Sequence, residues 1–347
     1  MINVFNNKKS IKFDFLIIFI LFLTTILILS ISSKEQENQA CGDGTQYETC
    51  SVTKPYFCDR ETKILTEKAS VCGCNNLSWQ AGDLCVSKYE SYPKNINLEY
   101  TIDEKENKMV FTAYGEMADY FSKIQRDIEY INGEIPSRTD FKLKVINNKE
   151  QRELLMPLVT EIQNLNSDKT IQAKIAISLV QKIPYETTGK NILLPSGEID
   201  YAQYPYEVLY YNQGICGEKS ALLAFLLKEL GYGVSIFYFP EENHEAVGIK
   251  CPMKNSFRNS GYCFIETAGP SIISDFSMEY TNGLRLKSEP EILVISDGIS
   301  LPEKMPEYKD AKDISDIRNR NIWSLFKFWK ADDIKEKYGL IGEYNLL

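Results

Sequence analysis

The chain of 347 residues contains one histidine, His244. That scarcity excludes a metal site built from several imidazoles, and it leaves a single residue for any step that needs one. A basic excess is missing too: 39 Lys and Arg face 48 Asp and Glu, for a net charge of -9. No nucleic-acid partner is expected, because a general nucleic-acid binder relies on a cationic surface. The chain has no internal repeat, no low-complexity block and no CxxC pair. It does have 44% hydrophobic residues and 12% aromatics, enough to fill a sizeable core and to exclude wholesale disorder.

The apolar residues begin early. Phe15 to Ile31 is a run of 17 residues broken only by Thr24, Thr25 and Ser30, behind Lys8, Lys9 and Lys12. It is longer than the usual apolar core of a cleaved signal, and no Ala-x-Ala site follows. Residues 1–12 therefore read as a cytoplasmic stub, 13–32 as a transmembrane anchor or signal, with the uncleaved anchor favoured, and 33–40 as a linker. The lysines stay in the cytoplasm, which places the rest of the chain outside the cell, with 36 basic and 47 acidic residues.

Nine cysteines fall into two groups. Cys41, Cys50, Cys58, Cys72, Cys74 and Cys85 lie within 45 residues, at spacings of 9, 8, 14, 2 and 11 with no histidine nearby. That pattern predicts a disulfide module over 41–88 rather than a zinc cluster, although its three pairs admit 15 connectivities. Cys251 and Cys263 flank a turn-like loop, KNSFRNSGY, between two apolar runs, which predicts a bridged hairpin. Cys216 is then left without a partner. Asn76 heads the only Asn-x-Ser/Thr sequon, Asn76-Leu77-Ser78, and is a candidate for glycosylation.

Beyond the module, patterning predicts an α+β protein. A connecting region, 89–150, holds an extended stretch from Ser87 to Asp103, a strand over Lys108–Tyr114, a helix over Glu116–Ile131 and a short strand over Phe141–Val145. Residues 151–300 follow as the main domain. Helices are expected over Gln151–Leu165 and Thr170–Ile183, the second stopped by Pro184. A Tyr-rich loop with Tyr201, Tyr204, Tyr206, Tyr210 and Tyr211 leads to a helix over Cys216–Leu230, apolar almost all round. Strands are read over Val234–Phe239, Glu245–Lys250, Tyr262–Thr267 and Glu291–Ser296. Residues 301–347 form a charged, partly helical extension.

The segment GICGEKS, Gly214 to Ser220, lacks the spacing of a phosphate-binding loop. It instead puts Cys216 at a helix N-terminus, where unpaired N–H groups and the helix dipole favour a nucleophilic thiolate. Such a nucleophile needs a proton carrier, and His244 stands 28 residues on, at the start of a strand. Glu266, at the end of the next strand, is placed to orient the imidazole. No cofactor or metal is called for.

These pieces carry a resemblance. GICGEKS, NHEAVGI and YCFIETAGP, within roughly Ile171 to Pro270, resemble the transglutaminase-like superfamily of cysteine hydrolases and acyl transferases. CGDGTQYETCS, KPYFC and LVQKIPYE resemble its membrane-anchored, archaeal-type branch. The resemblance implies a papain-like catalytic core, with Cys216 as nucleophile, His244 as base and acid, and Glu266 where the family most often has Asp. It also implies Gln181 as first candidate for an oxyanion donor, ahead of Gln213. The expected activity is cleavage or exchange of amide bonds in peptides or proteins at the cell surface. The rival expectation is a cell-surface binding or adhesion protein that keeps the fold without the activity.

Overall fold

Apolar residues on every side of ALLAFLLKEL can be satisfied only if all faces of that helix are covered. The computed structural model describes residues 39–129, 133–187, 189–194, 197–277, 285–319 and 325–340. In it this segment lies in the helix Cys216–Glu229, where Ala221 to Leu227 are all buried. By contacts the chain divides into two units, Met1–Ala40 and Cys41–Leu347. The expected stub and anchor, 1–32, lie outside the described residues. Among the described residues no helix is long and apolar enough to cross a membrane.

The unit from Cys41 onward is α+β. In chain order it has strands β1 (Tyr56–Cys58) and β2 (Leu65–Glu67), a short helix α1 (Ala69–Cys72), and strands β3 (Ser78–Ala81) and β4 (Leu84–Ser87). A long hairpin follows, β5 (Pro93–Ile102) with β6 (Lys105–Tyr114), and then α2 (Gly115–Lys123), α3 (Arg138–Ile146), α4 (Lys149–Leu165) and α5 (Lys169–Lys182). Next come β7 (Asn191–Leu194), β8 (Gly197–Asp200), α6 (Pro205–Tyr211) and α7 (Cys216–Glu229). Strands β9 (Val234–Phe239), β10 (His244–Lys250), β11 (Tyr262–Ile265) and β12 (Glu291–Ser296) lead to α8 (Pro306–Asn319) and α9 (Leu325–Tyr338).

The central sheet is antiparallel in the order β11-β10-β9-β12. Strands β9, β10 and β11 read as continuous apolar runs because both their faces are buried, while the edge strand β12 turns Leu293 and Ile295 inward and leaves Ile292 and Val294 exposed. Val234, Ile236, Val247, Ile249 and Ile265 join the main core with α7, while Phe237, Phe239, Ala246 and Phe264 form a second cluster with Phe257. The main core runs from Ile96 to Met305, so the connecting region and the main domain share one interior.

Disulfides hold the first module together: Cys41 pairs with Cys58, Cys50 with Cys72 and Cys74 with Cys85. It docks on α4 and α5. Asn164 exchanges two hydrogen bonds with the Leu65 backbone, at 2.8 and 2.9 Å, and Gln172 Nε2 donates to Gly42 O at 2.7 Å. A Cβ at Gly42 would lie 1.9 Å from Gln163 O, so only glycine permits this approach. The expected bridge between Cys251 and Cys263 is present, joining the ends of β10 and β11. Asn76 stands exposed in the turn before β3.

Three expectations are corrected. Phe141–Val145 is not a strand but part of α3, because Ser137 and Asp140 form a capping box that starts a helix there. Alternation in FKLKV also fits a helical face, with Phe141 and Val145 one turn apart. The helix expected over Glu116–Ile131 ends at Lys123, where Ile124 turns to an extended conformation. The Tyr-rich loop contains α6, with Pro205 at its first position and Glu207 accepting from Tyr204 N at 2.9 Å.

Candidate active site

Cys216 is the first residue of α7 and the only free cysteine among the described residues. Its preceding residue, Ile215, has no side chain able to cap the helix, and Glu218 does so instead. The Glu218 carboxylate accepts from Ile215 N at 2.9 Å and from Gln203 N at 2.7 Å. Burial raises the Glu218 pKa, and the hydrogen bonds from Gln203 and Ile215 oppose that rise. Gly217 lets β10 come close, since a Cβ there would meet Glu245 Oε2 at 3.0 Å.

His244 opens β10 opposite Phe239, after a tight turn whose last residue, Asn243, takes a positive φ of 46°. Asparagine tolerates that left-handed conformation better than most residues, which fixes where the strand begins. The ring is buried, and Nε2 lies 2.9 Å from Glu266 Oε2. The Cys216 thiol lies near enough to act on its pKa. With Nε2 engaged by the carboxylate, Nδ1 is the ring nitrogen left for sulfur. Burial pushes the imidazole pKa down, but the Glu266 charge and the hydrogen bonds with Cys216 and Glu266 outweigh it and raise the pKa to about 10.

Glu266 follows β11 directly and is fully buried. Its second oxygen, Oε1, accepts from Thr267 N at 2.9 Å and Ala268 N at 2.8 Å, so the backbone turn fixes the carboxylate. Thr267 Oγ1 donates to Cys216 O at 3.3 Å and lies 2.9 Å from Ser220 Oγ, tying that turn to the first turn of α7. Sequence reading thus named three residues that the fold brings together, and it missed the Thr267 and Ser220 hydroxyls that bind their elements.

Gln181 is placed differently from the oxyanion role expected of it. Its Nε2 donates to Glu266 O at 2.9 Å, and to Ser271 Oγ at 3.0 Å and Ser271 O at 3.3 Å. Both amide hydrogens are thereby engaged in holding the segment after β11. Gln213 Nε2 donates to Thr187 O at 3.1 Å. Lys219, buried in α7, donates to Gln181 O, Ile183 O and Ala268 O, and so clamps the end of α5 to the Glu266 turn.

Tyr185 was the residue not foreseen. It forms a parallel bridge with Gly214, and Gly214 N donates to Pro184 O at 3.2 Å, which lays this chain beside the nucleophile loop. Its hydroxyl lies close to Cys216, near enough for the thiol and the backbone there to act on its pKa. Burial and the adjacent thiol push its pKa up to about 12, while the backbone contact acts in the opposite sense. The only signal in the sequence was its place in LVQKIPYE, beside the glutamine that drew attention instead.

On the far flank of Cys216, Lys142 Nζ lies 2.5 Å from Glu245 Oε2 and 3.5 Å from Gly217 O, joining α3, α7 and β10. No protein-family model, curated protein or solved structure matches the chain.

Proposed function

We propose that the protein is a membrane-anchored, extracellular cysteine hydrolase or acyl transferase, with a transglutaminase-like, papain-like core in residues 151–300. One observation carries the reading: the free thiol at the start of α7 is near enough to the chain's one imidazole to raise its pKa, and that imidazole is 2.9 Å from a buried carboxylate. The resemblance of GICGEKS, NHEAVGI and YCFIETAGP supports it independently. Four disulfides favour an oxidising compartment.

With its raised pKa, His244 keeps a second ring proton near neutral pH, and the reacting form of the Cys216 sulfur is the thiolate. The sulfur attacks the carbonyl carbon of a peptide or glutamine-type amide, a C–S bond forms and the carbonyl electron pair moves to oxygen. The Cys216 N–H and the Tyr185 hydroxyl are the donors beside that oxyanion. As the C–N bond breaks, His244 gives its proton to the departing ammonia or amine. The neutral imidazole then takes a proton from water or a second amine, which attacks the thioester and returns the thiolate. Glu266 stabilises the imidazolium and fixes its orientation throughout.

Iodoacetamide labelling of Cys216 in the unreduced protein, followed against pH and alongside release of ammonia from glutamine amides, tests the reading. Labelling near pH 7 is expected to slow at least about 10-fold in His244→Ala, and turnover is expected to vanish in Cys216→Ala. A thiol indifferent to His244, with no amide turnover, would point to a binding protein instead.

A further inference from the structure

A cavity of about 470 Å³ lies beside the nucleophile, between α3, the first turns of α7 and the chain at 202–204. That volume falls within the roughly 300–1,000 Å³ of small-molecule sites. Ile215 and Gly217, the neighbours of Cys216, and Glu245, the neighbour of His244, all line it. Its apolar wall is made by Phe141, Val145, Tyr204 and Ala221, and Phe141 is partly exposed.

Two ion pairs border the cavity: Lys142 with Glu245, and Arg126 with Glu207 at 3.2 Å, the guanidinium also donating to three backbone carbonyls. Lys144 donates to the carbonyls of Gln125 and Asp127, and Glu218 accepts from Ile215 and Gln203. These contacts hold the polar groups at the rim, and the wall left to an occupant is the apolar one, which suits an apolar side chain. One polar group is left over. Gln203 is 2% exposed and uses its Nε2 on Gln213 O and Glu218 Oε2, while its Oε1 has no hydrogen-bond partner among the described residues. That oxygen is closed off from solvent and cavity alike, so it plays no part in what the cavity holds.

We infer that this cavity is the specificity pocket of the thiol site, taking a large apolar side chain of a peptide. The inference rests on the reading of Cys216 as nucleophile, but its test does not depend on turnover. The probe is N-acetyl-leucinamide, titrated calorimetrically into the full-length Cys216→Ala protein, with N-acetylglycinamide and the α-amide of N-acetylglutamate as comparisons.

The leucine probe is expected to bind at least tenfold more tightly than either comparison. Ala221→Phe, which fills the cavity, and Phe141→Asp, which charges its mouth, should each weaken binding at least tenfold. Circular dichroism and Tm report whether each variant is folded; if Ala221→Phe is not, the partly exposed Phe141 decides. Equal binding of the leucine and glycine probes, or leucine binding unchanged in the folded variants, overturns the inference. Leucine-selective binding without amide turnover by the unmutated protein would sink the nucleophile reading and leave the pocket standing as a peptide site. Turnover without leucine selectivity would do the reverse.

Discussion

The His244 imidazole holds its proton more tightly in the folded chain than an unfolded one does, because Glu266 and Cys216 together outweigh its burial. The folded value of about 10 lies above the unfolded value of roughly 6.5, so protonation favours folding. This contribution is fully present below about pH 6.5 and is lost as pH rises through about 10. The expected result is a Tm that falls across that window and falls less steeply in His244→Gln, measured by calorimetry at matched ionic strength. Tyr185 is predicted to act on kcat. Tyr185→Phe removes one of the two oxyanion donors and should lower kcat about 10²-fold with little change in KM, as steady-state kinetics on an amide substrate will show. A binding protein would tolerate the loss of that hydroxyl. Cys216, His244 and Glu266 were legible in the sequence because their residue types are scarce or chemically specific in this pattern. Tyr185 was not, because nothing distinguishes one of 21 tyrosines until the chain at Pro184 is laid beside Gly214.

Helix α7 and strands β9 and β10 emerged close to their expected bounds, since elements buried on most sides carry their signal in composition as well as period. Residues 138–146 misled because a five-residue alternation is compatible with both periods, and the capping box that decides between them lies outside the apolar pattern. The bridge between Cys251 and Cys263 staples β10 to β11, the strands that lead to His244 and Glu266. Replacing both cysteines with serine should destabilise the protein by about 2–4 kcal/mol in chemical denaturation. Because Glu266 is also held by its own turn and by Gln181, amide turnover should survive in the fraction that remains folded.

The disulfide module is part of the same unit as the site rather than a separate bead, and the Asn164 and Gln172 contacts are the reason. Asn164→Ala leaves the buried Leu65 N–H without its partner and should remove about 1–3 kcal/mol, seen as a lower denaturation midpoint. If the midpoint is unchanged, the docking is incidental. Composition and spacing alone determined which cysteines would be paired and which left free, the α+β class and the three side chains of the candidate triad. Those properties follow from residue types and local periodicity. Three other features were decided by the tertiary structure: which six cysteines pair with which, the use of Gln181 as a clamp on the Glu266 turn, and the cavity beside Gly217. Each depends on chain segments far apart in sequence being packed together, and no local pattern encodes the distance between them.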